Sequence, residues 1–280
     1  MSRDALEVVR RHPFATMMGA LIMTTTVGHA SVRHDAGRAL LYLAAIFASV
    51  IVIEWVLRAR GVTPAPTPVR QPAVEVAICA ACYAVAMIWL YQRFVLQTQP
   101  QGLLRLVWVL LGLGSVFNVI IAGVLLARRY RLTELGLRSR GWVAVPPVIV
   151  IFGSLALLAA PSHVTWREIV EDTGGSPLEI ASLALSAAVP EEFFRFVWQT
   201  RVAAWCRNPA TGWFVASILW AALHAPHDYV QTPSVFETTM GVIDKVPLGF
   251  LWGYLTARTG SFVPSLLLHA TNVWGLQNLG

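Results

Sequence analysis

Long runs of apolar residues, broken by few charges, restrict what this sequence can fold into. A helix that crosses the hydrocarbon core of a bilayer needs about 20 such residues, and irregular backbone is not tolerated facing lipid. Eight runs approach that length, with approximate bounds 39–57, 75–96, 103–127, 143–160, 177–205, 211–226, 241–257 and 261–279. A ninth run, 13–30, is predicted to be a first span rather than a signal peptide, because a stretch of about ten residues with an amphipathic pattern and several charges precedes it. The sequence therefore predicts an all-α, polytopic transmembrane bundle of eight or nine spans.

The composition argues against the soluble classes. Of the 280 residues, 56% are hydrophobic and only 13% are charged, about half the charged share of a typical globular chain. A soluble fold of this size could not cover its surface with so few polar groups. The net charge of +6 does not indicate nucleic acid, because the positive residues stand between apolar runs, where they orient spans.

The arginines predict the orientation of the bundle. Five of them lie between positions 128 and 140, and positive loops stay on the cytoplasmic side. Counting outward from this loop places the stretches 161–176 and 227–240, which are rich in acidic residues, on the opposite side. If 13–30 crosses the membrane, the N-terminus lies on the cytoplasmic side. If it does not cross, the side predicted from loop charge and the side predicted from the number of crossings disagree.

Two adjacent glutamates, Glu191 and Glu192, stand with Arg195 inside the apolar run 181–204. Carboxylates within a span are costly unless they are paired, protonated or used chemically. Glu191 and Arg195 are four residues apart and share a helix face, on which the guanidinium can keep a neighbouring carboxylate ionised. The alternative is an ion pair that only fixes helix packing.

His224 lies late in the run 211–226. The turn between this run and the preceding one falls at Asn208-Pro209, about 17 residues after Glu191 and about 15 before His224. With a rise of about 1.5 Å per residue, two antiparallel helices bring both side chains to a similar depth. A carboxylate and an imidazole that face each other across a hairpin can hold and deprotonate a water molecule.

His269 and Asn272 lie three residues apart in the last run, and therefore on one helix face. Both side chains can donate hydrogen bonds to a developing negative oxygen, as an oxyanion hole requires. Polar side chains also hold membrane helices together without any catalytic role, so this pair alone does not decide between the two.

Taken in order, a Glu-Glu pair with an arginine, an aromatic residue four positions before a histidine, and a last histidine followed by asparagine resemble the CPBP family of intramembrane glutamic endopeptidases. This family includes the type II CAAX prenyl proteases and relatives of bacteriocin self-immunity proteins. The resemblance covers about 143–280 and is preceded by a similar lead-in, Glu134-Leu135-Gly136-Leu137-Arg138. It divides the chain into N-terminal transmembrane helices, 1–142, and a catalytic transmembrane core, 143–280.

Three features depart from the family pattern. Two residues rather than three separate the second glutamate from Arg195, and Asn272 follows His269 by three positions rather than four. Trp220 stands where the family usually has phenylalanine. The first departure leaves open which glutamate matches the family's catalytic base. We favour Glu191 because the pair then keeps its order and Glu191 matches the depth of His224. Glu192 is the alternative.

The resemblance implies hydrolysis of a peptide bond near the membrane-anchored C-terminus of a membrane-associated protein or peptide, without a covalent intermediate, metal or cofactor. Glu191 and His224 would activate water, and His269 and Asn272 would stabilise the tetrahedral oxyanion. It also implies an integral, multi-pass protein of a bacterial or archaeal inner membrane. With the orientation above, the site lies nearer the extracytoplasmic leaflet, where it would suit trimming of exported proteins.

Two other classes stay open. A zinc-dependent membrane protease is one, because a ligand set could be drawn from His224, His227, Asp228 and His269, although the sequence has no HExxH motif. A non-enzymatic immunity or scaffold protein is the other, and it would retain the polar residues only to pack helices. Convergence of the glutamates and histidines around one polar cavity separates an enzyme from a scaffold.

Overall fold

The computed structural model describes residues 13–33, 36–63, 67–96, 115–138, 141–159 and 177–271. Within these ranges every regular element is a helix, which confirms the predicted all-α class. The α-helices are α1 Pro13–Val32, α2 Ala36–Ala59, α3 Pro72–Phe94, α4 Ser115–Ala127, α5 Val145–Ala159, α6 Pro177–Trp205, α7 Pro209–Ala222, α8 Ala225–Gln231, α9 Val235–Thr259 and α10 Val263–Thr271. A short 3-10 turn, Trp142–Ala144, precedes α5.

Most of the apolar runs form helices close to their predicted bounds, and 177–205 coincides with α6 at both ends. By length and composition, α2 and α3 can each cross a bilayer. Large apolar side chains on them, such as Ile51 and Ile88, face outward, as contact with lipid requires. The number of spans stays a prediction, and two stretches on which it depends lie outside the described residues: 97–114 and 160–176.

The predicted run 211–226, which contains a glycine, a histidine and a proline, is broken near its C-terminal end. α7 ends at Ala222, and the amide of His224 bonds to the carbonyl of Ala221 at 3.1 Å, three residues back. Pro226 has no amide N–H and its ring crowds the carbonyl four residues earlier, which favours a break here, although α6 and α9 continue through Pro190 and Pro247. His224 therefore lies at the junction of α7 and α8.

The stretch 227–240, predicted to lie on the outer side, is helical for most of its length. It contains the end of α8 and the first turns of α9. Ser234 caps α9 by accepting a hydrogen bond from the amide of Glu237 at 3.3 Å, and Lys245 of α9 donates to Asp228 of α8 at 2.7 Å. These contacts fix α8 on α9 beside His224.

α6 and α7 form the predicted hairpin. At the turn, the side chain of Asn208 accepts hydrogen bonds from the amides of Ala210 (3.0 Å) and Thr211 (3.3 Å). Gly212 allows the two backbones to touch, since a Cβ there would lie 2.3 Å from the carbonyl oxygen of Gln199. The register of the hairpin is therefore set by a cap and by a contact that only glycine permits.

Two apolar cores flank this hairpin. One joins α7 to α1, α2, α5, α9 and α10, and the other joins α6 and α7 to α3 and α4. Both cores combine helices from 1–142 and from 143–280, and the predicted division between these parts stays a prediction.

The predicted lead-in, 134–138, fastens the turn between α9 and α10. The carbonyl of Gly136 accepts hydrogen bonds from the Ser261 hydroxyl (2.9 Å) and from the amide of Phe262 (3.2 Å). Gly136 has a φ of 85°, and a Cβ there would lie 2.7 Å from the Phe196 ring of α6. This segment therefore holds the start of α10 against α6.

Candidate active site

Three parts of the fold bring predicted polar residues together: α6 with Glu191, Glu192 and Arg195, the α7–α8 junction with His224, and α10 with His269. α6 stays helical through Pro190, whose carbonyl accepts a hydrogen bond from the Asn118 side chain of α4 at 2.8 Å. Five of the six predicted site residues thus meet in one region of the bundle. The sixth, Asn272, lies outside the described residues.

Glu192, Arg195 and His269 form a buried hydrogen-bonded set. The Arg195 Nη2 atom pairs with Glu192 Oε2, its Nε donates to Glu192 Oε1 at 3.3 Å, and both side chains are closed to solvent. The sequence placed Arg195 on the face of Glu191, whereas the structure pairs it with Glu192, three residues earlier. Glu192 Oε1 also lies 3.2 Å from Nδ1 of His269. Glu192 therefore neutralises Arg195 and orients the His269 ring.

A second layer of polar side chains holds Arg195 in place. Its guanidinium donates to Gln199 Oε1 at 3.2 Å and to Thr256 Oγ1 at 3.0 Å. Gln199 in turn donates to the carbonyl of Gly253 at 2.9 Å, and the Thr256 hydroxyl lies 3.0 Å from that of Ser265. Sequence reasoning missed these residues, although Gln199 carried a usable signal: an amide one helical turn from Arg195 in an apolar run.

Glu191 is in a different environment. Its side chain is 26% exposed and that of His224 is 28% exposed. The Glu191 Oε2 atom accepts a hydrogen bond from Trp220 Nε1 at 2.6 Å and lies 4.0 Å from His224 Nε2 and 3.7 Å from His269 Nε2. The last two distances exceed a direct hydrogen bond but are short enough for one water molecule, about 2.8 Å from each group, to bridge them. Glu191 thus combines access to water with a fixed carboxylate.

Aromatic rings form the wall of the site. Trp252 stacks on His269 with ring centroids 4.2 Å apart and an interplanar angle of 15°. Trp220 meets Trp252 edge to face at 4.8 Å, and both tryptophans are buried. Trp252 gave no signal in the sequence, because a tryptophan in an apolar run is most often an ordinary core residue.

Two residues of the zinc alternative have other partners. The His227 ring packs edge to face on Phe94, with centroids 5.4 Å apart, and Asp228 is paired with Lys245. Across the residues that the structure describes, no three His, Cys, Asp or Glu side chains are grouped so that they could hold a metal ion. The ligand set of His224, His227, Asp228 and His269 is therefore not assembled in this arrangement.

Fold and site together define a class: a helical bundle with apolar outer faces that encloses a buried Glu–Arg pair, next to a partly exposed glutamate and two histidines. Residues 173–275 match the sequence model of a family described as type II CAAX prenyl endopeptidase Rce1-like. This match supports the predicted resemblance to a family of membrane-embedded proteases over the C-terminal part of the chain. The match begins later than the predicted 143 and leaves the lead-in 134–138 outside it. No curated protein and no solved structure matched the chain.

Proposed function

We propose that this chain is a multi-pass intramembrane endopeptidase in which Glu191 is the general base. The observation that carries the proposal is the position of the Glu191 carboxylate. It is partly exposed and lies within 4.0 Å of His224 and 3.7 Å of His269, next to a fully buried Glu192–Arg195 pair. A carboxylate without a cationic side chain at hydrogen-bond distance can take a proton from water more readily than one held by arginine.

In the proposed reaction, a water molecule between Glu191 and His224 gives one proton to Glu191 while its oxygen attacks the peptide carbonyl carbon. The electron pair of the carbonyl moves to its oxygen, where His269 and Asn272 donate hydrogen bonds. The C–N bond then breaks, and the departing amine takes the proton from Glu191. Water is consumed, a carboxylic acid and an amine are released, and no covalent enzyme intermediate forms.

The proposed substrate is a membrane-associated protein or peptide that is cut near its anchored C-terminus. Glu191 and His224 are partly open, whereas Glu192, Arg195 and His269 are buried, so substrate and water would approach from the side of the α7–α8 junction. The arginine-rich loop 128–138 contacts α6 at Phe196 and Arg201, which lie on the C-terminal side of Glu191. With that loop on the cytoplasmic side, the site opens toward the extracytoplasmic leaflet of a bacterial or archaeal inner membrane.

The test uses the full chain in proteoliposomes with two synthetic probes. One is a peptide ending in a farnesylated C-a-a-X sequence, and the other is an unprenylated single-span peptide with a short polar C-terminus. We expect mass spectrometry to detect a truncated product from at least one probe with the wild type and none with Glu191→Gln. Glu237→Gln is the matched control, since it makes the same change at a glutamate paired with Arg33 on the surface.

Absence of product from both probes with the wild type, or equal product from the wild type and Glu191→Gln, would refute the proposal. Comparison of the two probes also decides whether a prenyl group is required. Cleavage of the unprenylated peptide alone would place the chain outside the prenyl-dependent branch.

A further inference from the structure

The indole of Trp220 has a particular relation to Glu191. Among the described residues, its N–H is the group within hydrogen-bond distance of the Glu191 carboxylate, at 2.6 Å from Oε2. The two histidines that face this oxygen lie farther away, at 3.7 and 4.0 Å. Glu192, by contrast, is held by Arg195 and His269. The position of the partly exposed Glu191 side chain therefore depends on Trp220.

Trp220 is itself held rigidly. It is 2% exposed, and its ring meets three other rings nearly edge to face: Trp252 at 4.8 Å, His224 at 5.0 Å and His269 at 5.8 Å. Trp220 stands near the end of α7, and its ring contacts that of His224 at the α7–α8 junction. A donor on a buried ring that is packed against three others restricts the position of the acceptor it contacts.

We propose that Trp220 is a positioning residue for Glu191. Its indole N–H holds one carboxylate oxygen at a fixed point between His224 and His269, and so fixes where the glutamate can meet water. A glutamate has three side-chain torsions, and catalysis by a general base requires one orientation of the carboxylate. The kinetic part of this inference rests on the proposed function, whereas the contact itself does not.

The first experiment measures the contact without activity. The infrared band of the Glu191 carboxyl group is assigned as the band lost in Glu191→Gln. Trp220→Phe keeps a buried aromatic ring but removes the N–H, so we expect this band to shift and broaden. Trp213→Phe is the matched control: Trp213 lies seven residues earlier on α7 and donates its indole N–H to the carbonyl of Phe250 at 2.9 Å, not to Glu191.

A Glu191 band in Trp220→Phe that stays where it is in the wild type would overturn the inference, whatever the chain catalyses. The reciprocal measurement covers the case in which Trp220→Phe does not fold. In protein labelled with 15N-tryptophan, Glu191→Ala should move one indole N–H resonance toward the range of indoles without a hydrogen bond. If no indole resonance moves, the inference is overturned.

The second experiment is kinetic and uses whichever of the two proteoliposome probes the wild type cleaves. We expect Trp220→Phe to lower kcat about 10-fold while KM stays within about twofold, because the lost contact orients the base rather than the substrate. Trp213→Phe should leave kcat within about twofold. A kcat that falls no further in Trp220→Phe than in Trp213→Phe would overturn the positioning role. Absence of cleavage in the wild type would refute the proposed function alone, because the infrared result stands independently.

Discussion

Two buried glutamate–arginine pairs involve helix α6, and their surroundings differ. Arg195 pairs with Glu192 of the same helix, and Arg201 pairs with Glu75 of α3, its Nε lying 3.2 Å from Oε2. The two arginines are about 9 Å apart along the helix axis at 1.5 Å per residue. All four side chains are closed to solvent, so burial and charge alone do not distinguish the pairs.

The surroundings of the Glu75–Arg201 pair are structural. Glu75 Oε1 also accepts hydrogen bonds from the Tyr130 hydroxyl at 2.8 Å and from the amide of Gln71 at 3.1 Å. Burial raises the pKa of Tyr130, so this hydroxyl keeps its proton and donates it to the carboxylate. The pair therefore fastens α3, the turn after α4 and α6 to one another.

The Glu192–Arg195 pair instead leads to groups that solvent can reach. Its hydrogen bonds continue to His269, and beyond His269 lie Glu191 and His224, both partly exposed. A buried ion pair is thus compatible with a purely structural role, as at Glu75. In the proposed mechanism, the chemistry beside the other pair depends on the neighbouring carboxylate, Glu191, which the ion pair does not engage.

The largest expected effect is that of Glu191→Gln. The amide keeps the shape of the side chain but cannot take a proton, so turnover should fall by about 10³-fold or more while the fold is retained. Glu192→Gln should reduce turnover less per folded molecule, because Glu192 orients His269 and neutralises Arg195. Cleavage rates of both variants, normalised to folded protein, check this ranking, and the reverse ranking would reassign the base to Glu192.

The next effect is that of His269→Ala and Asn272→Ala. Donors aimed at charge that exists only in the tetrahedral state stabilise that state, so kcat should fall by about 10²-fold or more with little change in KM. Steady-state kinetics on a cleaved probe separate the two constants. A silent Asn272→Ala with an impaired His269→Ala would mean that the second donor comes from another residue.

Glu75→Gln should act on stability rather than turnover. It leaves the Arg201 charge buried without its counter-charge, and breaking a buried pair in this way costs about 3 kcal/mol or more. Thermal unfolding in detergent should therefore show a clearly lower midpoint, while turnover per folded molecule stays within about twofold. Glu237→Gln is the control, since the Arg33 side of its ion pair is largely exposed and such a pair is worth about 1 kcal/mol or less. A large loss of turnover in Glu75→Gln would remove the distinction between the two pairs.

The smallest expected effect is that of chelators. If a carboxylate and an imidazole activate the water, EDTA and phenanthroline should leave the cleavage rate unchanged, because no metal lowers the pKa of the water. Rates measured before and after prolonged chelation check this expectation. Complete loss of activity that zinc restores would instead support the ligand set of His224, His227, Asp228 and His269.

Local sequence signals predicted the elements that carry the site. The apolar run 177–205 defined α6, and Asn208-Pro209 marked the turn from which the matching depth of Glu191 and His224 follows. The break after α7 also had a local signal in Pro226. Distances from a turn and proline effects are local properties, and so a single sequence can reveal them.

Contacts between distant helices could not be predicted in the same way. Glu191 and Glu192, four and three positions before Arg195, both share its helix face, so spacing alone does not choose between them. The actual partner, Glu192, also contacts His269 of α10. The indole of Trp220 reaches Glu191 only because α6 and α7 lie in backbone contact at Gly212. These choices depend on the packed bundle rather than on spacing along one helix.

The close hairpin of α6 and α7 has a consequence for the order in which the protein becomes competent during synthesis. Glu191 and His224 lie on neighbouring helices, so a nascent chain can set their register soon after α7 has left the ribosome. His269 comes more than 40 residues after His224, on α10. The turn before α10 must also form its hydrogen bond from Ser261 to the carbonyl of Gly136. We therefore expect a nascent chain that ends before α10 to be inserted but inactive, so that cleavage by an unfinished protease is prevented.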